Sequence, residues 1–407
     1  MRKVTLLSLA ATTVLMASGY KIPEQSQKSV ALSAANVANA NGADASYENP
    51  ANMAFEEGNG SFEFDLGYIH LTSMKFEGTV TGHAPGAPIE SKKENFLIPT
   101  FYYVSPAVND FHFGLAMISP AGLSKRWDAQ PAKATAEEFT LKTYEINPTV
   151  AYKVNDQFSL AVGLRMLYSE GIVKSAAPAG APFFNSQRNM KGDALDFGYN
   201  LALSYRPNEE VKFAATYRSN IDIDVDGSAI LSNDFATYSG GASVTIPAPA
   251  TLNLAAAYTF DETTTVEFVY ETTYWSKYKT LDFNYSGTLS PFLSAFDTAS
   301  ARNWDDVNSY RLGVTHKYND DWILMAGTVF FDTPMPEQTL GFEHPDAKGW
   351  AYSTGFRHKL SKEYEVGASF LYADRENRTV ANNNNGINGT FSNAAVYYLS
   401  LGIEYKF

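Results

Sequence analysis

The last eleven residues of the chain, YYLSLGIEYKF (residues 397–407), alternate between two kinds of side chain. One face would be apolar and aromatic, with Tyr397, Leu399, Leu401, Ile403, Tyr405 and Phe407. The other face would be mostly small or polar, with Tyr398, Ser400, Gly402, Glu404 and Lys406. A period of two indicates a β-strand whose faces meet different surroundings. A half-buried strand of a soluble sheet alternates in the same way, so one strand does not distinguish a soluble sheet from a membrane barrel. Repetition of the pattern along the chain has to decide.

The same alternation recurs within residues 158–166, 195–205, 310–318 and 364–372. Each time the apolar face begins or ends in aromatic residues, and the opposite face carries glycine and polar residues. Aromatic residues make up 14% of the chain, which fits this placement. Outer-membrane β-barrels have such an apolar band with aromatic girdles facing lipid and a polar face toward the lumen. The pattern therefore predicts an all-β transmembrane barrel.

The connections between the predicted strands alternate between short turns and long loops. Short turn signals lie near residues 106–110, 155–156, 207–210, 261–262, 319–321 and 361–362. Long stretches rich in Gly, Pro, Asn and Ser lie near residues 72–95, 120–136, 170–192, 227–243, 284–303, 332–348 and 376–392. Six turns and seven loops make about thirteen connections, which predicts fourteen antiparallel strands. Short turns face the periplasm in such barrels, so we expect both termini to be periplasmic.

Both ends of the chain carry export features. Arg2 and Lys3 precede the apolar run Val4–Met16, and Ala17-Ser18-Gly19 offers small residues for cleavage. This order predicts a signal peptide over residues 1–19, although a buried N-terminal helix is the alternative. The terminal residue Phe407 completes the last strand. We expect the barrel assembly machinery of a Gram-negative outer membrane to recognise this end.

Residues 20–58 do not fit the strand pattern, because they are rich in Ala, Asn and Ser and alternate weakly. They are compatible with a disordered leader, a helix outside the barrel or a plug inside it. Eight strands already fill their interior with side chains, so fourteen leave a bore that needs a plug. We therefore divide the chain into a signal peptide (1–19), a hatch (20–58) and the barrel (59–407).

Composition excludes several classes of function. The chain has no cysteine, so it forms no disulfide and offers no thiolate. Its net charge of −13 is unfavourable for binding nucleic acid, which requires clustered Lys and Arg. The six histidines are scattered without metal-ligand spacing, and no Gly-x-Ser-x-Gly motif occurs. We expect no metal, no cofactor and no enzymatic activity.

Several motifs, in order along the chain, resemble the FadL/TodX family of outer-membrane transporters of long-chain fatty acids and other hydrophobic compounds. They are Tyr20-Lys21-Ile22-Pro23-Glu24-Gln25-Ser26, Asn49-Pro50-Ala51, Trp275-Ser276-Lys277-Tyr278, Asn319-Asp320-Asp321-Trp322 and Asp332-Thr333-Pro334-Met335-Pro336. The resemblance covers nearly the whole chain. It implies a fourteen-stranded barrel with an N-terminal hatch marked by Asn49, Pro50 and Ala51, beside a kinked third strand. We expect a monomer in outer-membrane lipid and lipopolysaccharide.

The chain departs from the family pattern at two places. Met325 stands where the family often has Arg after the Asp-Asp-Trp turn, and Lys348-Gly349 follows the Pro-Asp pair where Arg is often found. Basic residues there could hold a carboxylate. The resemblance therefore leaves open whether the cargo is a fatty acid, an alkane or a monoaromatic compound.

A channel for apolar solutes has to offer apolar contacts in steps, each buried CH₂ being worth roughly 0.8 kcal/mol. The predicted eleventh strand has a lumenal face that is nearly all apolar, with Ile323, Met325, Val329 and Phe331. These residues are candidates for substrate contact, and packing against the hatch is the equal alternative. Phe183 and Phe184 in the third long loop are candidates for an outer docking groove or for a small core within that loop.

The remaining candidates concern gating and the head group of the cargo. Pro120 ends the third strand, so a kink or lateral gap between Ala116 and Pro120 is one interpretation, and a loop that starts at Pro120 is the other. Arg165, Arg311 and Lys317 fall on lumenal faces, where with Lys348 they are candidates to bind a carboxylate. The sequence thus predicts a passive uptake channel for hydrophobic molecules. The alternatives are a general porin and a lipase-type barrel enzyme.

Overall fold

In a computed structural model, which describes residues 19–178 and 185–407, fourteen antiparallel strands form a closed barrel whose first strand pairs with its last. The strands are β1 Ser61–Leu71, β2 Glu94–Val104, β3 Phe111–Ile118 with Gly122–Arg126, β4 Glu138–Lys153, β5 Phe158–Ala177, β6 Ser186–Tyr205, β7 Val211–Arg218 with Ile221–Ser232, β8 Thr237–Ala248 with Ala250–Phe260, β9 Thr264–Tyr274, β10 Val307–Lys317, β11 Trp322–Phe331, β12 Gly349–Lys359, β13 Tyr364–Arg375 and β14 Ala395–Lys406. The predicted strand number and fold class are confirmed.

Alternation along each strand separates a lipid-facing surface from the lumen. On β6, Leu195, Phe197 and Tyr199 are exposed on the outer surface, whereas Ala194 and Asn200 are buried on the inner one. The ladder between β1 and β14 joins the two ends of the sheet into a barrel, as a sheet that spans a bilayer requires. The apolar residues that the sequence placed toward lipid therefore form the outer band of the barrel.

The N-terminal segment lies inside the barrel as a hatch. It contains helix α1 (Gln27–Ala31), helix α2 (Ala45–Glu48) and a 3₁₀ turn (Pro50–Phe55). Two local bonds begin these turns: the Ser26 hydroxyl accepts from the amide of Ser29 at 3.0 Å, and the Asn49 side chain accepts from the amide of Ala51 at 3.2 Å. Nearly every residue from 20 to 54 is buried, so the hatch fills the bore.

Glycines on the lumenal face let the hatch lie directly on the wall. A Cβ added to Gly327 of β11 would stand 2.2 Å from the carbonyl carbon of Leu32. A Cβ added to Gly355 of β12 would stand 2.7 Å from the Cβ of Ala31. Neither contact leaves room for a side chain, so glycine at these two positions sets how closely α1 approaches the barrel.

The long loops cover the end of the barrel opposite the short turns. Two of them contribute strands to a small four-stranded sheet: Lys75–Val80, Ile89–Glu90, Arg378–Val380 and Ile387–Ser392. The other loop elements are helix α3 (Lys133–Ala136), 3₁₀ turns Pro291–Asp297 and Glu337–Thr339, and strands Thr280–Leu281, Phe283–Tyr285 and Ser300–Ala301. No helix within the described residues is both long and apolar enough to cross a membrane.

Three features differ from the sequence expectations or refine them. Much of the predicted loops 170–192 and 227–243 belongs to strands, since β5 pairs with β6 as far as Ala177↔Ser186. β3 is interrupted at residues 119–121, and its ladder with β2 covers only four residue pairs. The last strand ends at the short turns as expected. The described chain, however, begins inside the lumen, where the Tyr20 ring packs among aromatic residues of the loops.

Candidate functional site

An open cleft of about 570 Å³, here called the outer cleft, lies among the long loops. Its walls include Phe139, Phe283, Phe292 and Phe296. The Arg188 guanidinium lies 5.0 Å and 5.1 Å from the ring centroids of Phe283 and Phe296, within range of a cation–π interaction. The loop entrance is therefore aromatic.

Phe183 and Phe184, predicted for this region, lie outside the described residues. Ala177 and Ser186, the ends of the strands on either side of them, line the outer cleft. The role of Phe183 and Phe184 in docking stays a prediction.

A second cavity of about 100 Å³, the aromatic cavity, lies deeper, between the hatch and the loops. Its lining includes the rings of Tyr20, Tyr278 and Trp304, with the Tyr20 centroid 6.5 Å from Tyr278 and 5.7 Å from Trp304. Most other lining side chains are apolar, among them Leu123, Leu141, Val173, Met190, Val225, Ile246 and Met335. Phe139 and Phe283 line both this cavity and the outer cleft, so the two spaces adjoin.

Polar side chains are the minority in the lining of the aromatic cavity. The Arg302 guanidinium forms an ion pair with Glu343, Nη1 to Oε1 at 2.8 Å, and His344 lies beside them. Burial disfavours the charge on Arg302, but Glu343 and the hydroxyl of Tyr278 offset it and leave the pKa of Arg302 raised. The cavity is thus a mainly apolar chamber, and its polar lining also includes Lys191 and the hydroxyl side chains of Thr140, Ser228, Ser243 and Thr339.

A third cavity of about 70 Å³, the charged cavity, separates the hatch from the barrel wall. Two hatch residues and two wall residues form a ring of opposite charges in its lining and next to it. Lys21 Nζ lies 2.6 Å from Glu271 Oε2, Arg311 Nη2 lies 3.1 Å from Glu271 Oε1, and Arg311 Nη1 lies 3.2 Å from Glu24 Oε1. Buried charges require such pairing, so this ring fixes the start of the hatch to β9 and β10.

Two of the four predicted carboxylate-binding cations line the charged cavity, and both have partners. Arg311 belongs to the ring just described. Arg165 Nη2 lies 2.8 Å from Glu145 Oε2, and its Nη1 donates to the Ser219 carbonyl at 2.6 Å. A carboxylate cargo would have to compete with these acids, so binding by either arginine stays a prediction.

The other two predicted cations lie away from the cavities. Lys317 is at the short-turn rim, where its Nζ lies 3.1 Å from Asp320 Oδ1. Lys348 is on the loop side, with Nζ 3.5 Å from Glu376 Oε2, and both side chains are about half exposed. The structure therefore does not bring the four cations together.

The apolar face of β11 points inward as predicted and packs on the hatch. Met325 belongs to a buried cluster with Leu32 of the hatch, and Ile323 packs against it. Val329 and Phe331 belong to another cluster that includes Ile22 and Val30. None of the four lines the aromatic cavity, so their contact with a substrate remains a prediction.

The Asn49-Pro50-Ala51 motif attaches the hatch to the wall. The Asn49 side-chain amide donates to the Val37 carbonyl and to Ser204 Oγ, each at 2.9 Å. Ser159 Oγ donates to the Ala51 carbonyl at 2.7 Å. Because Ser159 and Ser204 belong to β5 and β6, a movement of this motif has to break bonds to two strands.

The interruption of β3 is occupied by the hatch. The amide of Ile22 donates to the Pro120 carbonyl at 2.9 Å, and Gln25 Nε2 donates to the Ser119 carbonyl at 2.9 Å. Ala116 is buried in a cluster with Tyr47 of the hatch, and Pro120 lines the charged cavity. The residues predicted for a kink thus lie where the wall, the hatch and a cavity meet.

The sequence pattern did not single out Arg302, Trp304 and His344, which give the aromatic cavity a ring and polar groups, and it named Tyr20 only within the family motif. Tyr20 belongs to the hatch and the other three to long loops, where strand alternation carries no information. An aromatic residue in a loop that faces no lipid is the one signal that could have pointed to Trp304.

Comparisons with known proteins agree with this architecture. The family described as "Outer membrane protein transport protein (OMPP1/FadL/TodX)" matches residues 8–407. The "Long-chain fatty acid transport protein" of Escherichia coli (strain K12) is 24% identical over 321 residues, 68% of this chain and 70% of that protein. A Pseudomonas aeruginosa FadL homologue of known crystal structure is similar with a TM-score of 0.84, at 19% identity over 96% of this chain and all of that one.

The Pseudomonas putida toluene transporter TodX is similar with a TM-score of 0.70, at 15% identity over 98% of this chain and 100% of that one. These structures share the fold, and the family match extends over the barrel and the hatch. The chain is therefore an outer-membrane β-barrel that belongs to the OMPP1/FadL/TodX family of outer-membrane transport proteins.

Proposed function

We propose that this protein is a passive channel through which hydrophobic molecules cross the outer membrane. The observation that carries the proposal is the apolar route from the outer cleft into the aromatic cavity, which ends at Tyr20 of the hatch. An apolar solute gains from each buried CH₂ along this route, whereas water and ions meet a filled bore. Movement then follows the concentration gradient and needs no energy source of its own.

The names of the relatives indicate the range of possible cargo. One relative is called a long-chain fatty acid transport protein, and a structural neighbour is called a toluene transporter. We propose long-chain fatty acids, hydrocarbons or monoaromatic compounds as the class of cargo for this chain. A general porin is less favoured because the hatch occupies the lumen. A lipase-type enzyme is less favoured because the relatives are described as transport proteins.

For the exit we propose a lateral opening at the interruption of β3. Pro120 and Ala121 line the charged cavity, and the ladder between β2 and β3 stops after four residue pairs. Gln25 bonds across this place, so a shift of the hatch would free it. Candidate gating residues are therefore Asn49, Pro50 and Ala51 of the hatch together with Ala116 and Pro120 of the wall.

We also propose how the chain is delivered and housed. Residues 1–19 act as a signal peptide, residues 20–58 as the hatch, and residues 59–407 as the barrel. The assembly machinery recognises the C-terminal strand that ends in Phe407. The mature protein is a monomer whose exposed apolar band contacts outer-membrane lipid and lipopolysaccharide.

The proposal is tested by filling the aromatic cavity. A Cβ added to Gly171 of β5 would have as its nearest neighbour the Val225 side chain at 3.6 Å, so Gly171→Leu enters the cavity without a backbone clash. We expect Gly171→Leu to lower the uptake of a radiolabelled hydrophobic compound severalfold in cells that rely on this channel. Gly287→Leu, in an exposed loop outside this cavity, is the matched control and should take up the compound normally. Normal uptake by folded Gly171→Leu would contradict the proposed route.

A further inference from the structure

Arg188 of β6 places a positive charge in the wall of the outer cleft. Its side chain is half-buried, and its Nε is buried without a hydrogen-bond partner among the described residues. The guanidinium lies 5.0 Å and 5.1 Å from the ring centroids of Phe283 and Phe296. An arginine stays protonated at physiological pH, so this charge is permanent.

No acidic side chain of the protein neutralises Arg188. Among the described residues its guanidinium forms no ion pair, and the group that acts on it electrostatically is the hydroxyl of Tyr285. Residues 1–18 and 179–184, outside the described structure, contain neither Asp nor Glu. By contrast, each of the four cations that the sequence offered for carboxylate binding has an acidic partner.

The other ionisable groups of the outer cleft do not compensate this charge. Arg302 Nη1 and Glu343 Oε1 form an ion pair at 2.8 Å. Burial lowers the pKa of His83, so this imidazole is mainly neutral at pH 7. Three loop acids adjacent in sequence to lining residues are exposed, and none pairs with the guanidinium: Asp234, Asp282 and Asp297. Arg188 therefore leaves the cleft with an uncompensated positive charge.

The surroundings of this charge suit an anion that carries an apolar tail. A carboxylate can accept two N–H bonds from one guanidinium. Phe283, which contacts the guanidinium, and Phe139 line both the outer cleft and the aromatic cavity. A tail attached to an anionic group at Arg188 can therefore extend past these two rings into the aromatic cavity.

We propose that Arg188 captures the head group of amphipathic anions, such as long-chain carboxylates, and directs their tails into the aromatic cavity. This inference rests on the proposed channel function and specifies the cargo that the outer cleft prefers and the orientation in which it enters, tail first. A neutral molecule of equal length makes the same apolar contacts without the ion pair. A small anion makes the ion pair without the apolar contacts.

Four probes separate the charge from the tail: decanoate, decanol, decylammonium and acetate. Binding is measured by isothermal titration calorimetry on the refolded mature protein in phosphatidylcholine nanodiscs, with empty nanodiscs as the reference for partition into lipid. These nanodiscs contain no lipopolysaccharide or anionic lipid that could occupy the site. We expect decanoate to bind about tenfold more tightly than decanol, the lower range of a hydrogen bond to a charged group. Decylammonium should bind more weakly than decanol, and acetate should not bind measurably.

Arg188→Met removes the charge and keeps an unbranched side chain in the outer cleft. In this variant decanoate should lose its advantage over decanol, while the affinity for decanol stays close to that of the wild type. Arg188→Lys should keep part of the advantage, because an ammonium pairs with a carboxylate without the planar fork of arginine. Lys174→Met is the matched control, since Lys174 is 38% exposed, pairs with Glu138 and lies outside the lining of the outer cleft. It should keep the preference for decanoate.

Gly171→Leu, which fills the aromatic cavity, tests the position of the tail. It should weaken the binding of decanoate and decanol alike and leave the ratio of the two affinities unchanged. Unchanged binding of decanoate would place the tail elsewhere and overturn the tail-first orientation, whereas the channel itself is judged by uptake.

The outcomes separate the inference from the proposed function. A preference for decanoate that survives in Arg188→Met, or that Lys174→Met loses equally, overturns the inference and leaves a hydrophobic channel intact. Equal binding of decanoate and decanol by the wild type overturns it as well, and so does measurable binding of acetate. Loss of decanol binding in Arg188→Met would mean that Arg188 maintains the shape of the cleft, which also overturns the inference. Failure of decanoate, decanol and decylammonium to bind overturns the cleft and the cavity as a cargo route, and the proposed function with it.

Discussion

Buried charges in the lumen occur in mixed groups of both signs. Arg357 of β12 contacts Glu63 of β1, lies 2.7 Å from Glu365 of β13 through Nε, and lies 3.0 Å from Glu404 of β14 through Nη2. The ring of Lys21, Glu24, Glu271 and Arg311 repeats the arrangement across the hatch boundary. Removing one member of such a group leaves another charge buried without compensation, which is far costlier than losing an exposed pair.

Arg311→Met should loosen the attachment of the hatch to the barrel wall. Glu24 and Glu271 lose a shared partner in a buried place, and breaking such a pair costs about 3–5 kcal/mol. We expect a hatch that is held less firmly, seen as raised ion conductance in planar bilayers and a lower midpoint of thermal unfolding. Arg311→Lys retains a charge, so its ion conductance and its unfolding midpoint should lie between those of Arg311→Met and the wild type.

Lys348→Met is the control for Arg311→Met. It removes a cation from a half-exposed pair with Glu376, where the contribution to stability is at most about 1 kcal/mol. Its conductance and unfolding midpoint should match those of the wild type. If Arg311→Met conducts no more than Lys348→Met, the charge ring does not hold the hatch.

At the residue scale the sequence predicted orientation but not partners. Strand parity placed Arg165 and Arg311 on the lumenal face, where both are buried. It offered them as carboxylate sites because their partners lie on other segments of the chain: Glu145 is 20 positions from Arg165, and Glu24 is 287 positions from Arg311. Alternation along one strand carries no information about which residues of other segments pair with it. For the same reason the sequence did not identify His344 and Trp304.

At the element scale, alternation predicted the strands well within the lipid band and poorly above it. β6 was expected over residues 195–205 but begins at Ser186. Above the band neither face of a strand meets lipid, so nothing selects apolar residues at every second position. Glycines favoured a loop there, although a Cβ on Gly227 would stand 2.0 Å from the Lys191 carbonyl oxygen, which indicates close strand packing instead.

The end of β14 carries an exposed aromatic ring. The amide of Phe407 donates to the Gly60 carbonyl at 3.0 Å, and its ring, 51% exposed, lies 5.2 Å from that of Tyr405. So exposed a ring adds little to stability, but it is available to an assembly factor. We expect Phe407→Ala to lower the amount of folded barrel in outer membranes severalfold, measured by heat-modifiable gel mobility.

The purified and refolded Phe407→Ala protein should unfold in urea at nearly the wild-type concentration. Phe260→Ala removes a similarly exposed ring, 48% exposed, from the end of β8 and is the matched control. It should assemble normally in cells. An equal loss of assembly in both variants would mean that any rim aromatic is needed, and that the C-terminal residue is not specifically recognised.

At the scale of the whole molecule, counting turns and loops was enough to predict fourteen strands, and the bore of such a barrel was enough to predict a plug. The aromatic cavity was out of reach at this scale. Its walls come from the hatch, from strands β3 to β8 and from loops after β9 and β11, so only the closed barrel assembles it.

Deletion of residues 20–58 with the signal peptide retained tests the role of the plug. We expect the barrel to fold, because its ladder closes between β1 and β14 without the hatch, and heat-modifiable mobility will show this. The emptied bore should conduct ions steadily, and selective uptake of hydrophobic compounds should be lost. Unchanged selective uptake by the folded deletion variant would show that the hatch does not act as the plug.

Tyr20 begins the described hatch and also lines the aromatic cavity, and this placement affects how the rate of transport depends on cargo concentration. Because Tyr20 lines the cavity, we expect binding there and the position of the hatch to affect each other, since coupling between two equilibria is reciprocal. A molecule held against Tyr20 also occupies the cavity until it leaves. Each channel then transports one molecule at a time. The flux should therefore saturate as the external concentration rises, as it does for a carrier, although diffusion alone drives the transport.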